Sequence, residues 1–167
     1  MNVTRIALLA AVLSAAAFAG AAMPARSQAP NDATAGHAPE YPGVADLMNA
    51  IIQPRHAKLG LAGAEGNWPL AAFAAQELQQ SFDKVGHLHP KWRGLPLPHL
   101  IEATVGEPLK ALHQAIKAHD AKGFAAAYAT LTIGCNSCHE VAQRSFVVIK
   151  APDHSAFPNQ DFHTPKH

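Results

Sequence analysis

Hydrophobic residues after position 43 recur at helical spacing along most of the chain. In the stretch "VADLMNAIIQPRHAKLGLAG", residues 44–63, they form one apolar stripe that comprises Val44, Met48, Ile51, Ile52, Leu59 and Ala62. Pro54 interrupts this stretch, and because proline lacks a backbone N–H it predicts a kink. The pattern therefore predicts a first helix with one buried face.

Three further helices are predicted downstream. Asn67 is a good N-cap and Pro69 suits a first turn, so a second helix is expected in "WPLAAFAAQELQQSFDKV". After the Gly/Pro-rich "GHLHPKWRGLPLP", a third helix is expected in "HLIEATVGEPLKALHQAIKAHD", broken or restarted at Gly106–Pro108. A fourth is expected from about Lys122 to Phe146.

The fourth predicted helix carries the inward seam of a helical bundle. Its apolar residues are spaced alternately four and three apart, at Phe124, Tyr128, Leu131, Cys135, Cys138 and Ala142. No β-hairpin or βαβ pattern competes with the helical periodicity. The expected fold is all-α, an antiparallel four-helix bundle with an irregular C-terminal tail.

The N-terminal residues have the layout of a secretory signal peptide. Residues 1–22 contain one cation, Arg5, then an apolar run and small residues, with "AGA" at 19–21 as a cleavage signature. A retained membrane anchor is the alternative, although it needs about 20 apolar residues. The expected organisation is signal peptide 1–22, flexible leader 23–42, bundle 43–150 and extended tail 151–167. We therefore expect a periplasmic protein without a membrane span after cleavage.

The charge of the chain excludes one class of partner. The 13 basic and 12 acidic residues nearly balance, and no basic patch appears in the sequence. Nucleic acid is therefore not an expected partner.

The chemistry of the chain is concentrated in "CNSCH", which contains its only two cysteines, Cys135 and Cys138, followed by His139. A thioredoxin-type pair belongs near a βαβ pattern, and a zinc site needs two further ligands at suitable spacing. A disulfide between residues three apart closes a tiny loop and contributes little stability. Haem attachment uses the whole motif, because both thiols form thioethers and the histidine binds iron. We predict one covalent haem c per chain.

A haem motif near the end of the last helix of a four-helix bundle resembles the cytochrome c prime family. The resemblance covers roughly residues 43–146. Through "RHAKL" it implies that Arg55 lies near a haem propionate and that Leu59 faces the iron. The chain departs from the family in continuing for about 20 residues beyond the motif helix. By resemblance to other bacterial haem proteins, this tail is expected to lie along the bundle, with an open role.

The sixth position on the iron would decide the function. In the family it is vacant against an apolar wall or filled by a Met from the first helix. His56 is a candidate ligand because it lies on the edge of the same face, three residues before Leu59. Met48 is interpreted as core filler. Two arrangements stay open, His56 bound to iron or a vacant site under Leu59, and the second is slightly favoured.

Three functions follow from these arrangements. A periplasmic electron carrier is preferred, because it fits either state of the sixth position. A five-coordinate module that binds NO or CO is the alternative. A peroxidase-type enzyme ranks last, since Arg55 and His56 are adjacent and diverge by about 100° on a helix. The protein is thus not expected to be an enzyme. Its expected partners are periplasmic redox proteins and diatomic gases, and a homodimer is left open.

Overall fold

Residues 41–165 are described by a computed structural model, and this part of the chain contains four helices and no strand. Helix α1 spans 44–64 and consists of α-helical Val44–Leu47, π-helical Met48–Ile52 and α-helical Gln53–Ala64. Helix α2 is Trp68–Leu88. The predicted signal peptide and most of the predicted leader lie outside the described residues.

The second half of the bundle repeats this construction. Helix α3 spans 97–118 and consists of Leu97–Ile101, π-helical Glu102–Gly106 and Glu107–Ala118. Helix α4 is Ala121–Val141. Each helix packs against the next in chain order, and α4 also packs against α1, which closes the bundle. The prediction of an all-α helical bundle is confirmed.

Each internal proline follows a π-helical turn. Pro54 stands in the first turn after Met48–Ile52, and Pro108 stands in the first turn after Glu102–Gly106. Proline removes one backbone hydrogen bond and its ring crowds the carbonyl four residues earlier, so a wider turn upstream relieves the clash. The interruption predicted at Gly106–Pro108 is therefore a π turn, and the helix does not end there.

Close contacts between helices hold α4 in place. A side chain at Gly60 or Gly63 would meet the rings of Tyr128 and Phe124, and one at Gly134 would meet the backbone carbonyl of Thr104. Glycine at these positions lets α1 and α3 approach α4 closely. The core between the helices is mainly leucine, and its fully buried large side chains are Leu47, Leu59, Leu78, Val85, Leu109, Leu112 and Leu131.

Helix α4 ends five residues earlier than the sequence predicts. It stops at Val141, and Gln143 adopts a left-handed conformation with φ of 56°. The N–H of Arg144 then donates to the carbonyl of His139 at 2.7 Å, which terminates the helix. Because of this turn, the chain after the "CNSCH" motif reverses rather than continuing away from the bundle.

The tail after this turn contains no helix or strand through residue 165 and contacts the bundle at several points. Phe162 is buried, and Ile149 and Phe157 pack against the core. Asn67 caps α2, as predicted. It also holds the far end of the tail, because its Nδ2 donates to the carbonyls of Phe162 and His163 at 3.2 and 3.0 Å. Across 41–165, none of the helices has the length and apolar character needed to cross a membrane.

Candidate functional site

An apolar cleft opens between the helices at the level of the "CNSCH" motif. The space between its lining side chains is about 590 Å³, part of it open to solvent. All four helices and the tail contribute to it. Its lining consists of Met48, Asn49, Ile52, Gln53, His56, Phe82, Ile101, Thr104, Val105, Cys135, Cys138, His139, Val147 and Ile149.

Both π turns contribute to the walls of this cleft. Met48 and Ile52 come from the first turn, and Thr104 and Val105 come from the second. Four residues of an α-helix make slightly more than one full turn, whereas four residues of a π-helix make slightly less than one full turn. Along α1, the small rotation lost between Met48 and Ile52 is offset by the small rotation gained between Ile52 and His56. These three side chains can therefore line the same cleft. Neither π turn is apparent from hydrophobic periodicity alone.

The two cysteines enter the cleft as separate thiols. Cys135 is buried and Cys138 is half-buried, and they are not joined in a disulfide. Burial, and secondarily the neighbouring Cys138, raises the pKa of Cys135 to about 12. Burial also raises the pKa of Cys138, against an opposing hydrogen bond with Thr104. Neither group has the lowered pKa of a reactive redox cysteine.

His139 is oriented by the backbone of the tail. Its Nδ1 lies 2.7 Å from the carbonyl oxygen of Val147. Since a carbonyl can only accept, Nδ1 carries the proton and the neutral ring has its lone pair on Nε2. This hydrogen bond is the arrangement that orients metal-binding histidines in proteins. Nε2 is therefore the ring nitrogen of His139 that has a lone pair to offer a metal ion.

His56 lines the cleft, but both of its ring nitrogens have protein partners. Nε2 lies 3.0 Å from the hydroxyl of Thr132, and Nδ1 lies 3.0 Å from the hydroxyl of Tyr128. The Thr132 hydroxyl donates its proton to the carbonyl of Tyr128. Toward the neutral His56 ring it therefore acts as an acceptor, and Nε2 is the donor. Burial lowers the pKa of His56 to about 4. This ring is neutral near pH 7 and its nitrogens are occupied.

Two residues that the family resemblance places beside the haem, Arg55 and Leu59, lie outside the lining of this cleft. Arg55 forms an ion pair with Glu77 at 2.7 Å and contacts the hydroxyl of Ser81, both on α2. Leu59 is fully buried in the core. Neither residue is among those that line the cleft. The structure thus brings Cys135, Cys138 and His139 together with Met48 and His56, but not with Arg55 and Leu59.

Sequence reasoning missed the part of the site formed by the tail. Val147 and Ile149 line the cleft, and Asn136 hydrogen-bonds the backbone of Ile149. The tail has no periodicity from which to read a register, and the only cue in the sequence was its length beyond the motif. The contribution of Thr104 and Val105 depends on the π turn in α3, which the pattern did not indicate.

A site built from several protein ligands would require a cluster of donor side chains. Among residues 41–165, no three or more His, Cys, Asp or Glu side chains are grouped so that they could hold a metal ion. Haem makes a smaller demand, because its porphyrin supplies four nitrogens and the protein adds one or two axial ligands.

Comparison of the chain with protein-family models, with curated proteins and with solved structures gives no match. The interpretation of the cleft therefore rests on the residues and geometry of this chain.

Proposed function

We propose that this protein is an exported c-type cytochrome that carries one covalent haem c and transfers electrons in the periplasm. One observation carries the proposal: the thiols of Cys135 and Cys138 and the ring of His139 line the same apolar cleft. Haem bound there would supply a reversible one-electron iron couple. The two cysteines would hold it through thioethers, and His139 would bind its iron through Nε2.

The residues of the cleft fit this group chemically. The lining is mainly apolar, as a porphyrin face requires, and the thiols have raised pKa values, so they do not compete as thiolate ligands. The tautomer of His139 leaves the lone pair on the nitrogen that would face a metal. Each member of the motif therefore has a role that its surroundings support.

Met48 would be the second protein residue to hold the haem iron. Its thioether requires no hydrogen bond and lines the cleft, and Met is an established haem ligand in cytochromes. His56 would have to give up a hydrogen bond with Thr132 or Tyr128 before it could bind iron. Ligation by Met48 would close the sixth position, which favours electron transfer over ligand binding.

The residues implied by resemblance have supporting roles in this proposal. Arg55 joins α1 to α2 through Glu77, and Leu59 anchors α1 in the core. Arg55 is not among the residues that line the cleft, so its position gives no support to an Arg–His pair acting on peroxide. The proposal accordingly includes no enzymatic step.

Binding of NO or CO is the second candidate function. Both ring nitrogens of His56 already have hydrogen-bond partners, so His56 is not available to fill the sixth position on the iron. The apolar side chains of Ile52, Phe82 and Val105 also line the cleft, and an apolar site suits a diatomic gas. This function requires that Met48 does not bind iron. The two candidates therefore make opposite predictions about the sixth position.

Optical spectra of the purified ferric and ferrous protein, combined with a redox titration, test the proposal. An electron carrier should be low-spin in both states, titrate reversibly as a one-electron couple and resist CO. A high-spin protein that binds CO at once would replace electron transfer by gas binding. Recovery of the protein from the periplasmic fraction tests export.

A further inference from the structure

The chain folds back over the cleft immediately after the haem motif. Gln143 takes the left-handed conformation, and the N–H of Val147 then donates to the carbonyl of Arg144 at 2.8 Å. Val147 and Ile149 consequently reach the cleft and become part of its wall. We name residues 144–149 the return segment.

Asn136 clamps the return segment through two hydrogen bonds to one residue. Its Nδ2 donates to the carbonyl of Ile149 at 2.9 Å, and its Oδ1 accepts from the N–H of Ile149 at 2.8 Å. The amide thus pairs with the backbone in the way a neighbouring strand would. A side chain lacking either the donor or the acceptor cannot reproduce this pairing.

The clamp lies directly beside the contact between the return segment and His139. Asn136 and His139 are three residues apart on α4, which places them on the same side of the helix. Their partners, Ile149 and Val147, are two residues apart in the tail. Fixing the backbone at Ile149 therefore fixes the position of the Val147 carbonyl that accepts from Nδ1 of His139 at 2.7 Å.

We infer that Asn136 is a positioning residue for His139: by holding the return segment, it keeps the imidazole in the Nδ1–H tautomer with Nε2 directed to a metal. The Cys-x-x-Cys-His motif itself leaves this position free, so the assignment is additional to the motif. The consequence for redox chemistry rests on the proposed function. A carbonyl acceptor at Nδ1 makes the ligand more basic, which stabilises ferric over ferrous iron.

The test uses the full-length protein as purified, with Asn136→Ala and the milder Asn136→Asp, which keeps the acceptor but loses the amide donor. Asn67→Ala is the matched control, because Asn67 holds the far end of the same tail at Phe162 and His163. Three quantities are measured: hydrogen exchange of the Ile149 amide, ¹⁵N shifts of the His139 ring in the reduced state, and the reduction potential.

Asn136→Ala should accelerate exchange of the Ile149 amide about tenfold or more, as expected for loss of its hydrogen bond. With haem bound through Nε2, Nδ1 of His139 keeps its proton, and its ¹⁵N shift should move because its hydrogen bond weakens. In protein without haem, the ring should move toward a mixture of tautomers. The ferrous state should be favoured about tenfold more, a rise of about 59 mV for a one-electron couple. Asn136→Asp should retain part of the exchange protection, and Asn67→Ala should leave all three quantities unchanged.

Unchanged exchange, unchanged ring ¹⁵N shifts and an unchanged potential in Asn136→Ala would overturn the inference, as would equal changes in Asn67→Ala. Should Asn136→Ala fail to fold, Asn136→Asp decides by the same criteria. If the wild-type protein contains no covalent haem, the proposed function fails. The exchange and tautomer measurements then still decide whether Asn136 positions His139, because neither depends on haem.

Discussion

The hydroxyl of Tyr128 on α4 lies 3.0 Å from Nδ1 of His56 on α1, and the two rings stack with centroids 4.7 Å apart. The same hydroxyl lies 2.9 Å from the carbonyl oxygen of His56, so its single proton is shared between these two acceptors. With Thr132 on the other ring nitrogen, the imidazole is enclosed by α4. This buried pair connects the cleft wall of α1 to the helix that carries the "CNSCH" motif.

The burial of His56 predicts that stability falls in mild acid. Its pKa is about 4 in the folded protein and about 6.5 in the unfolded chain, so between these values the unfolded state binds more protons. Its contribution is complete above about pH 6.5 and is lost as the pH falls toward 4, by about 3 kcal/mol. Urea unfolding at several pH values measures this loss. His56→Gln, which does not titrate, should remove most of the dependence on pH, and an equal dependence in both proteins would contradict the prediction.

If the proposed haem is bound, substitutions of two residues of α1 should have different effects on its optical spectrum. Met48→Leu, which nearly conserves volume, should convert a low-spin ferric spectrum to high-spin and allow CO to bind. His56→Gln should leave the spectrum nearly unchanged, because the nitrogens of His56 are already hydrogen-bonded. A low-spin spectrum abolished by His56→Gln and not by Met48→Leu would assign ligation to His56 instead.

The helices were predictable from the sequence because their burial is periodic, and the cap at Asn67 has a local signature. The site was predictable only in part. "CNSCH" identified its own residues, but the π turns arise from packing around Pro54 and Pro108, and the end of α4 depends on the left-handed Gln143. Arg55 and Leu59, which the family resemblance implies, are not among the residues that line the cleft, and their predicted roles beside a haem stay predictions.

The contact between α3 and α4 predicts a steric effect at Gly134. A methyl group there would press on the backbone carbonyl of Thr104, which cannot rotate away. Gly134→Ala should therefore destabilise the protein by about 1–3 kcal/mol. Gly86→Ala is the control, because its nearest neighbour would be Pro98 at an ordinary 3.4 Å. That change should be neutral or should stabilise α2 by about 0.5–1 kcal/mol. Thermal unfolding of both variants measures the difference, and equal stability would exclude a tight contact at Gly134.

The tail predicts a contrast between two phenylalanines. Phe162 is 5% exposed and Phe146 is 77% exposed. Phe162→Ala should destabilise the protein by about 3–5 kcal/mol, the usual cost of emptying a core site, whereas Phe146→Ala should change stability by less than about 0.5 kcal/mol. Chemical denaturation compares them. Equal stabilities would mean that the tail does not dock on the bundle in solution.

Covalent attachment of haem is the central claim, and the mass of the denatured protein tests it most directly. After acid–organic extraction, the polypeptide should retain its pigment and be heavier than the processed chain by one haem. Cys135→Ala combined with Cys138→Ala should lose both the pigment and the added mass. A wild-type protein that releases its haem under this extraction, or that contains zinc and no haem, would contradict the account.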